Sequence, residues 1–368
     1  MIYLDYSATT KADKEVLKTF NEISENYFGN PNSKYDLSLK AHSEIDNATL
    51  KMAKMLGVKP SEIIITSGAS ESNNQAIKKT AMLTNKRHII TTNFEHSSVL
   101  APISYLQTLG FKVSFVKFNE DGLIDLENLK ELITPDTFLV SIAAVNSELG
   151  FREPIEEIGL LLKDYDVIFH SDITQAIGKV KVDLTNVDLA SFSAHKIYGI
   201  KGIGGLIKKE HIKLIPLING GKSTTIYRSG TPQTELICSM AKAMELIMPK
   251  VEDNYLYVSK LKERLVNGLN KYSDIYLNSS SKSIPHIINF SILGKKADDI
   301  QMFFADREIY FSTKTACSSD NDMSLAVYSL TNDERRARSS VRISLSYKTT
   351  NEEIDEFLKV LGEFYGNN

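Results

Sequence analysis

Short runs rich in Val, Ile and Phe alternate along this chain with longer stretches in which apolar positions recur every three or four residues. The runs EIIIT (62–66), RHIITT (87–92), KVSFVKF (112–118), TFLVSIAAV (137–145), DVIFHSD (166–172), DLASFSA (188–194) and GGLIKK (204–209) read as buried strands. Helical periodicity separates most of them, over 13–26, 36–56, 70–83, 97–109, 125–133 and 154–163. This alternation predicts an α/β fold with a mostly parallel sheet and helices on both faces. In such sheets ligands gather at the carboxyl ends of the strands.

A long helical stretch near 233–270 leads into a different texture. NSSSKS (278–283) reads as a loop, IPHIINFSIL as a strand, ADDIQMFFADREI as a helix and SSVRISLS as a strand. In TTNEEIDEFL, Thr350 and Glu353 have the spacing of a capping box that starts a last helix. Residues 13–250 are therefore expected to form a large domain. Residues 251–368, joined by 1–12, are expected to form a smaller α+β domain.

Composition narrows the function. The 368 residues suffice for two domains with a sizeable core, and 43 basic against 46 acidic side chains leave no strong field for nucleic acid or a membrane surface. The start, MIYLDYSATTKADKEV, lacks a basic segment followed by an apolar run, and nothing approaches the length that spans a bilayer, so a cytoplasmic location is expected. Two cysteines exclude a disulfide framework and the usual thiolate metal sites, which leaves one free to be reactive. Cys238, in ELICSMAKAMELIM, falls on an apolar helical face and is expected in the core. His42, His88, His170, His211 and His286 show no metal spacing, and no metal is expected. The basic run ERRARSSVR reads as a solvated face.

Several strand ends carry polar residues that a buried sheet would not choose. EIIIT runs into SGASESNN, a small-residue turn opening a helix, where free N–H groups could hold a phosphate or where a serine could simply cap the helix. DVIFHSD ends in Asp172, and Gln175 follows one turn later. If the strand 188–194 continues, Ser193 and His195 project to one side and Lys196 follows at its exit. An anion site, an acid and an amine on one sheet edge are the parts for holding pyridoxal 5'-phosphate.

The blocks YLDYSATT, FGNPNS, SGASESNN, FEHSSV, NSELG, HSDITQAIGK, SFSAHKIYGIKGIGGL, RSGT, STKTACSS and SSVRISLSYKTTNEEID resemble, in order and across nearly the whole chain, the cysteine desulfurases of the NifS/IscS type. These are class V aminotransferase-like enzymes of fold type I, dependent on pyridoxal phosphate. The resemblance implies that Lys196 is the Schiff-base lysine, that Asp172 partners the pyridine nitrogen, that Gln175 meets the ring hydroxyl and that His96 stacks on the ring. It implies a phosphate cup of Ala69, Ser70, Ser193 and His195, with Thr231 lent by the other subunit of a homodimer. Asn146 and Arg342 match the residues that hold the carboxylate of L-cysteine, and Cys317 matches the nucleophile that takes the sulfur as a persulfide. The implied acceptors are an iron–sulfur scaffold or a tRNA-thiolation enzyme, with no direct contact to nucleic acid or membrane. A selenocysteine lyase or other class V enzyme, and a dimeric relative that regulates a partner without turnover, are the alternatives. The chain departs from the pattern in GGKSTTIYRSGT, where Ser223 and Thr224 replace a Gln-Glu or His-Glu pair, and after Cys317, where a Pro-Ser pair is lacking.

Overall fold

In the computed structural model, which describes residues 1–313 and 323–366, twelve strands form three sheets. They are β1 (Ile2–Tyr3), β2 (Ile63–Thr66), β3 (His88–Thr91), β4 (Lys112–Phe115), β5 (Thr137–Ser141), β6 (Ile168–Asp172), β7 (Leu189–Ser193), β8 (Gly204–Lys208), β9 (Ile275–Leu277), β10 (Ile287–Ile292), β11 (Ile309–Tyr310) and β12 (Ser340–Ser344). The central sheet has the order β2-β8-β7-β6-β5-β3-β4. β8 runs antiparallel to both neighbours and the other pairs are parallel, so β2, β3 and β5 to β7 end on one edge.

The expected strands and helices form, with boundaries trimmed by a few residues. The apolar runs bury both faces of β2, β3, β5, β7 and β8, as a sheet covered by helices requires. KVSFVKF is the exception. It forms a strand of the sheet only over 112–115, at the edge, with Lys112 and Phe115 exposed. Its two lysines, Lys112 and Lys117, suit an edge strand better than a buried one. The helical stretch 233–270 is broken into Thr234–Ile247 and Val251–Leu269 by a tight turn over Met248–Lys250, because Pro249 lacks an N–H and its ring crowds the preceding turn.

A three-stranded antiparallel sheet, β12-β10-β9, carries a second core. There Phe290, Phe304, Phe311 and Phe357 pack with Leu261, Leu265 and Leu4. Leu4 arrives because β1 pairs in parallel with β11 and Asp5 bridges to Ser344. The capping box forms as expected: Thr350 N–H donates to Glu353 Oε2 at 3.0 Å and Glu353 N–H to Thr350 Oγ1 at 3.2 Å, opening the helix Asn351–Gly366. Among the described residues no helix is long and apolar enough to cross a membrane, and no cluster of His, Cys, Asp or Glu is suited to a metal ion. Cys238 is buried, its thiol pushed up to about 12 by desolvation first and the nearby Glu44 second, with its S–H aimed at Glu44 O. A thiol in that state is a packing residue.

Candidate active site

The carboxyl ends of β2, β6 and β7 converge on a cavity of about 220 Å³. The turn after β2 opens the helix Ala69–Ala81 without a serine cap. Its N-cap is Gly68, at φ 150°, with no side-chain hydrogen bond. The Ala69 N–H instead reaches across to Ser193 Oγ at 2.7 Å. Glycine is needed at Gly204 on the neighbouring strand, because a Cβ there would lie 2.3 Å from Phe192 O and 2.7 Å from Gly68 Cα. Backbone on both sides cannot yield, so the glycine-rich tract lets β8 run close beneath the turn.

β7 stops at Ser193, and Ala194–Lys196 form a 3-10 turn. Strand alternation therefore does not bring Ser193 and His195 together, as the sequence suggested. The turn does so, and both line the cavity. His195 is held at Nδ1 by Thr9 Oγ1 at 3.0 Å. Burial, followed by the Lys196 charge, pushes its pKa down to about 4, so it is neutral. The Lys196 ammonium donates to Ser7 O at 2.6 Å and Ala8 O at 2.7 Å. The N-terminal segment thus forms a wall of the cavity, through contacts about 190 residues apart in sequence.

Asp172 is the last residue of β6 and only 7 % exposed. Its Oδ1 accepts from Thr174 N–H at 2.9 Å and its Oδ2 from Asn73 Nδ2 at 2.8 Å, so the carboxylate is satisfied by neutral donors and still faces the cavity. Gln175 follows in a turn; its Oε1 accepts from Lys179 Nζ at 2.8 Å and its Nε2 donates to Ser7 O at 2.9 Å. Burial pushes the Lys179 ammonium down to about 7. His96 caps the helix Ser97–Thr108 and faces the cavity, its pKa lowered chiefly by desolvation.

Arg342, on β12, is 2 % exposed. One arm of its guanidinium pairs with Asp5 Oδ1 and another donates to Ser147 O, both at 2.9 Å. Its Nε has no partner among the described residues. Asn146 is buried but does not line the cavity. Its Oδ1 accepts from the N–H groups of Glu148 and Leu149 and its Nδ2 donates to Phe94 O. Thr231 is exposed and also lies off the lining, and Ser70 lies on it. Cys317 lies outside the described residues.

Asp5, Ser7, Ala8, Asn73 and Lys179 were not assigned roles from the sequence. Asn73 could have been found, since it lies four residues after Ala69 and so on the same helical face. The N-terminal residues gave only the unassigned block YLDYSATT.

Glu95, beside His96, is a buried acid whose pKa desolvation raises to about 8; Ala143 N–H and the Thr92 hydroxyl donate to its Oε1. In the folded chain it keeps a proton up to about 8 that the unfolded chain releases near its ordinary 4.5. Stability contributed by this group is therefore lost as pH rises through that window. Glu95→Gln retains the acceptor without the ionisation. Its melting temperature relative to the parent should rise between about pH 5 and about pH 8. Thermal melts showing a constant difference would contradict this.

The cavity's own groups fit pyridoxal phosphate. It joins an amine, an acceptor-only carboxylate, an amide donor and a helix N-terminus, and Ser7 Oγ in its lining is buried with no partner among the described residues. Residues 2–357 match the family model for aminotransferase class V. The chain is 39% identical over 367 residues to the mitochondrial cysteine desulfurase of Arabidopsis thaliana, covering 98% of this chain and 81% of the relative. It is 38% identical over 369 residues to cysteine desulfurase IscS of Clostridium botulinum, covering 98% and 93%. The solved structure of a NifS-like protein superimposes with a TM-score of 0.94 at 35% identity, covering 100% of both chains.

Proposed function

The chain belongs to the class V aminotransferase family and is a cysteine desulfurase dependent on pyridoxal phosphate, and from this premise we propose that the cavity around Lys196 is its reaction centre. The observation that carries the reading is the convergence of Lys196, Asp172 and Arg342 on one cavity beside the N-terminus of the helix Ala69–Ala81. We assign 13–250 to the cofactor-binding domain, and 1–12 with 251–368 to a smaller domain bearing Cys317.

When bound, pyridoxal phosphate supplies an aldehyde that holds the substrate amine and a ring that takes up the electrons left by the α-proton. Ala69, Ser70, Ser193 and His195 receive the phosphate at the helix N-terminus. Asp172, whose carboxylate faces the cavity, would keep a proton on the pyridine nitrogen. With Lys179 Nζ donating to its Oε1 and Ser7 O accepting from its Nε2, Gln175 would meet the ring hydroxyl through the second N–H of Nε2. His96, which lines the cavity, would stack on the ring. Lys196 would anchor the cofactor through its amine, and its Nζ, when free, would take the α-proton of the substrate. Arg342 offers its planar fork to the substrate carboxylate, and Asn146 shapes the turn that carries Ser147 O to that guanidinium.

Cys317, as thiolate, attacks the sulfur of cysteine. A sulfur–sulfur bond forms, the carbon–sulfur bond breaks with its electron pair left on carbon, and protonation completes alanine. Cys317 keeps the sulfur as a persulfide, to be passed in the cytoplasm to an iron–sulfur scaffold or a tRNA-thiolation enzyme. Incubating the purified protein with L-cysteine and dithiothreitol should release sulfide and alanine in equal amounts. Alanine without sulfide, or neither, would overturn the reading.

Thr231, exposed and off the cavity of its own chain, completes the phosphate site of a second subunit. A two-fold axis makes the exchange reciprocal, so the active species is a homodimer. Sedimentation should find activity only in the dimer, and an active monomer would refute the assignment.

A further inference from the structure

Behind the cavity lies a short chain of hydrogen bonds with one buried side chain at its centre. Asn73 has no exposed surface. Its Nδ2 donates to Asp172 Oδ2 and to Ser98 Oγ, each at 2.8 Å. The directions follow from chemistry. A carboxylate only accepts, so the amide nitrogen must face Asp172. The orientation leaves Asn73 Oδ1 buried with no partner among the described residues, a cost that flipping the amide would not relieve, since the oxygen would then meet the carboxylate.

Ser98 Oγ, accepting from Asn73, has its single proton to give to His96 Nδ1 at 2.8 Å, and Ser98 N–H donates to the same Nδ1 at 3.1 Å. With two donors aimed at it, Nδ1 is the acceptor, and the proton of the neutral ring sits on Nε2. We propose that Asn73 is a positioning residue that ties the Asp172 carboxylate to His96 through Ser98, fixing the acid and the imidazole tautomer as one unit. The inference rests on the reading that Asp172 and His96 serve the reaction, but the coupling is a property of the chain itself.

The test uses the full chain labelled with 15N-histidine, the His96 signal being identified by its absence from His96→Gln. Asn73→Leu keeps the side-chain shape and removes both donors; Ser98→Ala breaks only the arm to His96 and serves if Asn73→Leu does not fold. The parent should show a proton on Nε2 and none on Nδ1, and both variants should shift the Nδ1 resonance. Turnover in Asn73→Leu should fall about ten- to a hundredfold, the effect of losing a hydrogen bond to a charged group. KM for L-cysteine should stay within about threefold, because Arg342 is untouched. The double variant should be no slower than Asn73→Leu alone, since members of one network are not additive. A Nδ1 signal unmoved by either substitution, a proton on Nδ1 in the parent, or additive losses would overturn the coupling while leaving the desulfurase reading intact. A shifted signal in a chain whose parent makes no alanine from cysteine would support the coupling and refute that reading.

Discussion

Lys196→Ala is expected to lower release of sulfide from L-cysteine by roughly four orders of magnitude or more, the scale seen when a group essential to the chemical step is removed. The protein should retain pyridoxal phosphate, because in the proposed site the phosphate is held by Ala69, Ser70, Ser193 and His195 rather than by the amine. The fold should also survive. The N-terminal segment loses the bonds from Lys196 Nζ to the Ser7 and Ala8 carbonyls, but Thr10 keeps its N–H and hydroxyl on His195 O at 2.9 and 2.8 Å. Turnover and bound cofactor measured on the same dialysed sample separate the two effects. Parental activity in Lys196→Ala would remove Lys196 from the chemistry.

Cys317→Ser should block a later step. A hydroxyl does not ionise near neutral pH as a thiol can, so it cannot attack the substrate sulfur. Cofactor binding and the absorbance change on mixing with L-cysteine should persist, because none of the residues proposed to hold the cofactor or the substrate carboxylate is altered. Sulfide release should fall at least a thousandfold, to roughly the background of the uncatalysed exchange. Cys238 cannot substitute. It is buried, its thiol is pushed up to about 12, and it lies with Glu44 and Lys51 in a separate small cleft. Stopped-flow absorbance together with sulfide assay distinguishes the loss of attack from a loss of binding, and a normal rate of sulfide release would exclude Cys317.

Local pattern made most elements legible. Short buried runs and amphipathic stretches predicted every strand of the central sheet, and the Thr350 and Glu353 spacing predicted the last helix. What the pattern lacked was tertiary context. KVSFVKF is apolar enough for the interior, yet the topology puts it on an edge. The turn at Ala194–Lys196 is invisible in SFSAHK, where strand propensity runs on past Ser193. The site was legible where polar residues interrupt strand ends, as at Asp172, Ser193 and Lys196. It was illegible where the partner is far along the chain: Asp5 meets Arg342 across 337 positions, and a backbone carbonyl such as Ser7 O has no residue signature at all. Asn146 shows a further limit. The resemblance implied that it holds the substrate carboxylate, while in the fold its side chain closes its own turn onto Glu148 and Leu149, the local bonding that asparagine favours.

The most direct measurement is mass spectrometry of peptides from the protein after a short pulse of L-cysteine without reductant. One additional sulfur is expected on the Cys317 peptide of the parent and none in Lys196→Ala, and dithiothreitol should remove it with release of an equal amount of sulfide. Additional sulfur on Cys238, or none on either cysteine while alanine accumulates, would contradict this expectation.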